Sequence, residues 1–181
     1  MVNLLIGITG SYGIMALPPY LLELRQHYDQ LKIIMTKSAT EFIPMETFRG
    51  FTNGIYTREF PLSKENMMHV ELARWAQLFI ILPATANVLA QAAHGIADTL
   101  LSATILAYEN PITFFPNMNT SMWKNKAVQN NVKLIREYGH KVVDPIEQLS
   151  FEYASQELEM NHTLPSVESV LSLLKLEEQL R

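Results

Sequence analysis

Short apolar runs of strand length alternate with segments of helical spacing from one end of the chain to the other. Strands are predicted at residues 2–9, 31–35, 78–82, 112–115 and 140–143, with a further short one at 55–58. The main runs are almost continuously apolar, which indicates burial on both faces, as in parallel strands joined through helices. We therefore predict an α/β fold with a doubly wound, mainly parallel sheet and helices on both faces.

Helical spacing or capping signals mark the segments between these runs. Helices are predicted at residues 15–27, 38–42, 69–76, 85–94, 97–108, 121–138 and 166–180. Ser38 is the expected cap of the second of these, and Pro165 suits the first turn of the last. Residues 147–162 are polar and acidic and show no clear period. No repeat or linker divides the sequence, so we predict a single domain over residues 1–181.

The composition limits the classes of partner. The 181 residues are 48% hydrophobic and 18% charged, below the roughly 25% of charged residues usual in soluble domains. A surface so poor in charge suits subunit contacts, so we expect a homo-oligomer. The formal net charge is −4 and lysines and arginines do not cluster, which argues against nucleic acid or an anionic membrane as partner.

The chain contains no cysteine, which excludes disulfides, thiolate metal sites and a cysteine acid or nucleophile. The N-terminal MVNLLIGITG has no basic region and no cleavage site, so we interpret it as the first strand rather than a signal peptide. The apolar tract at residues 78–108 contains no uninterrupted span of about 20 apolar residues, so no transmembrane helix is predicted. We expect a cytoplasmic protein.

The first candidate ligand loop follows the first strand, because doubly wound sheets bind ligands beyond the carboxyl ends of their strands. GITGSYG (7–13) offers small residues and backbone N–H groups ahead of a helix, which suits a phosphate; an ordinary tight turn is the alternative. Its glycines lack the GxGxxG spacing, and Thr36, Lys37 and Ser38 stand where a dinucleotide site needs an acidic residue. A mononucleotide such as FMN therefore fits better than NAD.

A second candidate loop, PATAN (83–87), follows the most apolar strand. Thr85 can cap the next helix, and a plain cap after a strand-ending proline is the structural alternative. Ala84 and Ala86 leave room for a flat ring to approach the backbone, and Asn87 offers a donor and an acceptor.

The third candidate loop is PNMNTSMW (116–123), directly after a buried strand. Methionine and tryptophan are poor choices for a simple surface turn, so this loop is a candidate for ligand contact. His69 precedes the core strand at the start of a helix; taken alone, it is more simply a surface or satisfied residue. The histidines show no metal-ligand spacing, so no metal site is predicted.

Taken together, these motifs resemble one family. GITGSYG, Thr36-x-Ser38, His69, PATANV (83–88), GIADTLL (95–101) and PNMNTSMW occur in the order found in the homo-oligomeric flavin-containing cysteine decarboxylases. PATANV is similar to that family's PASANT-type motif, and PNMNTSMW matches its PxMNxxMW motif without a gap. Thr85 keeps the hydroxyl of the usual serine, whereas Val88 loses that of the final threonine, which puts one polar flavin contact in doubt.

The resemblance implies a Rossmann-like three-layer fold, trimers that often assemble into dodecamers, and FMN bound between subunits. It implies His69 as the active-site base, Asn119 as the residue that binds the substrate carboxylate, and Met122 as a wall of that pocket. The implied FMN-binding residues are Gly10, Ser11, Thr36, Ser38, Phe42, Pro83, Ala84, Thr85, Ala86, Asn87 and Gly95. The implied substrate-binding residues are Asn117, Met118, Asn119, Met122, Phe151 and Tyr153.

The family includes phosphopantothenoylcysteine decarboxylases of coenzyme A synthesis and peptidyl-cysteine decarboxylases of lantibiotic-type peptide maturation. The resemblance implies that the former protonate and re-reduce an enethiol intermediate with a cysteine in a mobile flap, and this chain has no cysteine. The corresponding segment, 147–162, resembles the substrate clamp of the peptide enzymes in place and length. Phe151 and Tyr153 are spaced to share one face of an extended segment, which predicts apolar residues just before the terminal cysteine of a precursor peptide.

Three alternatives stay open at this point. The predicted function is FMN-dependent oxidative decarboxylation of the C-terminal cysteine of a lantibiotic-type precursor peptide, giving an aminoenethiol. The first alternative is a phosphopantothenoylcysteine decarboxylase, and the second is a flavin prenyltransferase, which shares the GITGxxG start but not PNMNTSMW. The third is a non-catalytic FMN-binding regulator, whose long acidic extensions this chain lacks.

Overall fold

A six-stranded parallel sheet forms the centre of the protein in the computed structural model, which describes residues 2–57, 67–152 and 156–180. Its strands are β1 (Asn3–Ile8), β2 (Gln30–Met35), β3 (Gly54–Tyr56), β4 (Leu78–Ala84), β5 (Thr113–Pro116) and β6 (Lys141–Val142). They lie in the order β3-β2-β1-β4-β5-β6, and each neighbouring pair is parallel. The strand order reverses between β1 and β4, so these two strands flank the position where a doubly wound sheet binds its ligand.

Helices cover both faces of the sheet. The α-helices within the described residues are α1 (Leu17–His27), α2 (Lys37–Phe42), α3 (Met68–Trp75), α4 (Ala86–His94), α5 (Leu100–Ala107), α6 (Thr120–Trp123), α7 (Lys126–Glu137) and α8 (Val167–Gln179). Two 3-10 helices, Tyr12–Ala16 and Met45–Phe51, precede α1 and β3.

The alternation of side chains along β1 shows how the sheet separates two cores. Leu4, Ile6 and Ile8 belong to the cluster that includes α1 and α8, whereas Leu5 belongs to the cluster formed with α3, α4, α5 and α7. All four side chains are fully buried. Each is expected to stabilise the fold by about 1.5–3 kcal/mol, so an apolar run without alternation is what a two-sided core requires. The predicted Rossmann-like three-layer α/β architecture is confirmed.

Local predictions were wrong at two helices. Thr36, not Ser38, caps α2, because the Thr36 hydroxyl accepts the N–H of Ala39 at 3.2 Å. The helix predicted at 121–138 is two helices, α6 and α7, because Asn125 adopts an extended conformation and caps α7 through the N–H of Ala127 at 2.9 Å.

Two antiparallel strands form a hairpin where the sequence showed no period. They are β7 (Ile146–Glu152) and β8 (Glu157–Thr163). These strands overlap the predicted clamp segment, 147–162, for which an extended conformation was expected and pairing was not predicted. Tyr153 lies outside the described residues, and Phe151 is described only through its backbone in β7.

Across these described ranges, no helix combines the length and the apolar character that a membrane span needs. Nor do the described histidine, aspartate and glutamate side chains form any group of three or more suited to hold a metal ion.

Candidate functional site

A cavity of about 590 Å³ opens at the carboxyl edge of the sheet, where the strand order reverses. Its walls come from the loop after β1, the start of α4, the loop after β5 and the base of the hairpin. The predicted site residues that line it are Gly10, Ser11, Phe42, Thr85, Ala86, Asn117, Met118, Asn119 and Met122. The structure thus brings three candidate loops of the sequence into one site.

The loop after β1 fits closely against the loop after β2. A Cβ atom added to Gly10 would lie 2.6 Å from both Cβ and Oγ of Ser38, so a side chain at position 10 would force these loops apart. The Ser38 hydroxyl also contacts that of Thr36 at 3.1 Å. Thr36 and Ser38 do not line the cavity, but they border the loop that does.

Thr9 links the ends of β1 and β4 across the strand-order reversal. Its buried hydroxyl donates to the carbonyl of Pro83 at 2.7 Å and accepts the N–H of Thr85 at 2.9 Å. Thr85 in turn caps α4 by accepting the N–H of Val88 at 3.3 Å. Because the Thr9 side chain binds both the carbonyl of Pro83 and the N–H of Thr85, it holds the start of α4 next to the loop after β1.

Asn117 joins three walls of the cavity. Its Oδ1 accepts the N–H of Gly13 at 2.9 Å, and its Nδ2 donates to the carbonyl of His162 at 3.2 Å. Its own N–H donates to the carbonyl of Ala84 at 3.0 Å. A Cβ on Gly13 would lie 2.6 Å from Asn117 Oδ1, so a glycine is needed at this contact. With its amide used in this way, Asn117 is a structural link between walls.

Asn119 presents a hydrogen-bond donor at the cavity. Its Oδ1 caps α6 by accepting the N–H of Met122 at 2.8 Å. The Nδ2 group lies on the opposite side of the same amide, and no acceptor among the described residues bonds it. An amide whose oxygen is occupied in this way can donate to a ligand carboxylate without repelling it.

The base of the hairpin is fastened to α6. The Thr120 hydroxyl donates to the carbonyl of Met160 at 2.8 Å and lies 3.0 Å from His162 Nδ1. The His162 ring packs on Trp123, with ring centroids 6.1 Å apart. These contacts join the base of the hairpin to the Asn119 loop, and Trp123 belongs to the core rather than to an exposed surface.

The donor set of the cavity fits a flavin mononucleotide. The Oγ atom of Ser11 is buried and has no hydrogen-bond partner among the described residues, so it is available to a ligand oxygen. It lies at the start of a helix, where N–H groups attract anions such as phosphate. Phe42, Met122 and Ala86 supply apolar surface and space for a flat ring.

Tyr20 forms part of the cavity wall beneath these groups. Its hydroxyl donates to the carbonyl of Pro165 at 2.6 Å. Burial and, secondarily, the charge of Glu168 raise the pKa of Tyr20, so this phenol stays neutral near pH 7.

Several predicted site residues lie away from this cavity in the protomer. Pro83, Ala84 and Asn87 belong to β4 and α4 but do not line it. His69, in the first turn of α3, is half-buried and does not line it either. Gly95 ends α4 with φ of +64° and lines a second cavity, of about 480 Å³. The predicted roles of these residues stay predictions.

The base of the hairpin also contributes to the cavity, which was not predicted from the sequence. Gln148, Asn161, His162 and Thr163 all line the cavity. Alternation of apolar and polar residues in LEMNHTL (158–164) was the available signal, because it is the period of a strand with two different faces.

Comparisons with known proteins agree with this geometry. Residues 1–175 match the family described as Flavoprotein, and the chain belongs to that family. It is 38% identical over 169 residues to mersacidin decarboxylase of Bacillus sp. (strain HIL-Y85/54728), covering 93% of this chain and 87% of that protein.

Two further relatives differ in the function that their names state. The solved structure of an EpiD variant complexed with substrate peptide DSYTC has a TM-score of 0.86 and 31% identity, covering 95% of this chain and 98% of that one. The bifunctional coenzyme A biosynthesis protein CoaBC of Bacillus subtilis (strain 168) is 33% identical over 147 residues, which cover 80% of this chain and 36% of that protein. The predicted family and its flavin cofactor are confirmed.

Proposed function

We propose that this protein catalyses the FMN-dependent oxidative decarboxylation of the C-terminal cysteine of a lantibiotic-type precursor peptide. The Asn119 amide is the observation on which this proposal chiefly rests, because it offers a donor for the substrate carboxylate beside a cavity that suits a flavin. The similarity to mersacidin decarboxylase and to EpiD with its peptide supports a peptide as substrate.

The proposed reaction removes two hydrogens and CO2 from the terminal residue. Bound FMN would accept the two hydrogens taken from the Cβ–S unit. The resulting C=S group is an electron sink beside Cα, so the Cα–carboxylate bond can break and its electron pair forms the Cα–Cβ double bond. The product is a peptide aminoenethiol, –NH–CH=CH–SH after protonation of the thiolate. The protein binds the carboxylate through Asn119 and bounds its pocket with Met118 and Met122.

The absence of cysteine separates this reaction from that of the coenzyme A enzymes. The resemblance implies that those enzymes return the hydride to the enethiol after a flap cysteine has protonated it. Here the segment in that place is the hairpin, and neither it nor the rest of the sequence contains a cysteine. The enethiol is therefore released, and another acceptor must reoxidise the flavin.

His69 is proposed as the base, contributed by a neighbouring protomer of a trimer. Within the described residues of one protomer, His69 lies at the N-terminal end of α3 and not in the cavity with Asn119. The helix leads back into β4, so its first turn lies at the carboxyl edge of the sheet, where a neighbour's cavity can meet it.

The deciding experiment incubates the FMN-loaded protein anaerobically with a synthetic peptide that ends in cysteine. Loss of CO2 and two hydrogens from the peptide mass, with bleaching of the flavin, supports the proposal. Conversion of phosphopantothenoylcysteine with every tested peptide unchanged would instead assign the coenzyme A reaction. Unchanged substrates of both kinds would favour a non-catalytic FMN-binding protein.

Mixing two inactive variants tests the shared site. His69→Asn and Asn119→Asp each remove one proposed group, and both are expected to retain FMN. If the two groups come from different protomers, dissociation and reassembly of a 1:1 mixture should restore activity in about a quarter of the sites, as random assembly of a cyclic oligomer gives. No recovery in assemblies shown by mass to be mixed would refute the shared site. A colourless His69→Asn variant would point to a structural histidine.

A further inference from the structure

The two faces of the hairpin differ in chemistry. Gln148 pairs with Asn161, and Ser150 with Glu159, in the antiparallel register. Because side chains alternate along a strand, Gln148, Asn161, Glu159 and Glu157 share one face. The opposite face carries Leu149, Leu158 and Met160, whose side chains are each at least half exposed. The hairpin thus has one polar and one apolar face.

The polar face is continuous with the cavity. Gln148, Asn161 and Thr163, at the base of that face, all line the cavity. At the base of the apolar face, His162 also lines the cavity, but its ring is engaged by Thr120 and Trp123 of α6. A chain that leaves the cavity along the hairpin therefore passes first over Gln148 and Asn161.

Two carboxylates continue this face beyond the cavity. Strands rise about 3.3 Å per residue, so Glu159 and Glu157 lie about 7 and 13 Å beyond Asn161. Both are exposed, and no basic group among the described residues forms an ion pair with either. Glu147, on the other face, lies 3.8 Å from Lys124. The polar face, along which a bound peptide would extend out of the cavity, therefore carries unneutralised negative charge.

We infer that the polar face of the hairpin receives the peptide segment before the terminal cysteine, and that Glu159 selects a lysine or arginine in that segment. This inference rests on the proposed function, since it takes the occupant of the face to be the substrate peptide. Continuity of the face with the cavity supports this occupant. Gln148 and Asn161 contribute amide hydrogen bonds that do not depend on the charge of the peptide. The inference departs from the expectation of apolar contacts from Phe151 and Tyr153.

The test uses peptides that end in cysteine, with alanine and serine before it and a single lysine at successive positions two to six residues upstream. A matched series carries glutamate instead. We expect kcat/KM of the parent protein to favour lysine over glutamate by about two- to fivefold at one or two of these positions, as for a solvent-exposed ion pair. The preference should reside in KM and weaken as salt is added.

Two variants separate local recognition from the general effect of charge. Glu159→Gln should abolish the preference, and Glu159→Lys should reverse it at the same position. Glu147→Gln removes the same charge from the other face of the hairpin and should retain the preference. Thermal unfolding of all three variants checks that the fold is kept.

The outcomes distinguish the two proposals. If no peptide is decarboxylated, the proposed function is wrong, and the inference, which depends on it, is wrong as well. If peptides are decarboxylated without regard to charge, or if Glu147→Gln removes the preference as fully as Glu159→Gln, the inference alone is wrong. A uniform preference for apolar residues at all positions would place the peptide on the opposite face.

Discussion

Replacement of Asn119 by aspartate is the sharpest test of how the cavity binds a carboxylate. The substitution changes one NH2 group to an oxygen and leaves the other oxygen able to cap α6, where the present contact to Met122 N–H is 2.8 Å. Aspartate is as good a helix cap as asparagine. The fold should therefore be preserved, and thermal unfolding of the variant should match that of the parent.

The cost appears only when a substrate carboxylate is present. Two like charges about 4 Å apart repel by about 4 kcal/mol at the effective dielectric constant of about 20 found near protein surfaces. The variant also loses a hydrogen bond to a charged group, which contributes about 1.5–3 kcal/mol. Either effect is large, and the repulsion alone corresponds to a loss of about a thousandfold in kcat/KM.

The assay measures decarboxylation of a cysteine-terminated peptide by mass, with Asn125→Asp as the matched control. Asn125 also caps a helix, accepting the N–H of Ala127 at 2.9 Å, but it lies outside the cavity. The control should keep full activity. Binding of the same peptide with a C-terminal amide should be nearly equal for Asn119→Asp and the parent. Turnover within about tenfold of the parent would refute carboxylate binding by Asn119.

Three further predictions concern the frame of the site. Thr9→Val should lower the free energy of unfolding by about 1–3 kcal/mol, because the N–H of Thr85 loses its acceptor, and urea unfolding measures this. An unchanged midpoint and slope would show that the link is dispensable. Ser11→Ala removes a hydroxyl that has no partner among the described residues, so we expect unchanged stability but about tenfold weaker flavin binding by fluorescence titration; equal affinity would contradict its role. Burial lowers the pKa of His140 from 6.5, and its neutral Nδ1 accepts the N–H of Ile112. Its stabilisation is therefore complete above pH 6.5 and declines as pH falls towards its folded-state pKa. Unfolding midpoints should show this acid sensitivity in the parent and less of it in His140→Asn; an equal decline in both would refute the assignment.

The sheet was predictable from the sequence because strands that are buried on both faces are continuous apolar runs. The run Leu78–Ala84 is buried at every residue, and no short strand of an open, one-sided sheet has that pattern. The cap at Thr85 was likewise predicted, since a hydroxyl before a helix has a local partner three residues on. Pro165 was expected in the first turn of the last helix, but Ser166 caps α8, so Pro165 precedes the helix. The cap of α2 was misassigned because Thr36 and Ser38 offer the same chemistry two positions apart.

The hairpin was not predicted because its strands are exposed and mix polar with apolar residues instead of forming an apolar run. Most of β8 faces solvent, so burial does not impose an apolar run, and the pairing of Gln148 with Asn161 is set by contacts along two strands rather than by either one. Asn117 was expected to bind substrate. Its contacts to Gly13 and His162 join residues 104 and 45 positions apart, and no local pattern could reveal them.

By itself, the sequence determined the doubly wound fold, the candidate loops and, through its lack of cysteine, the proposed choice between two reactions. These features depend on local period, residue type and count. Only the tertiary structure decided which loops meet at the reversal between β1 and β4, that His69 lies apart from Asn119 within a protomer, and that the base of the hairpin lines the cavity. These are matters of strand order and register, and contacts between distant segments fix them. For PNMNTSMW, the sequence supplied the residues, and the fold placed the Asn119 amide at the cavity.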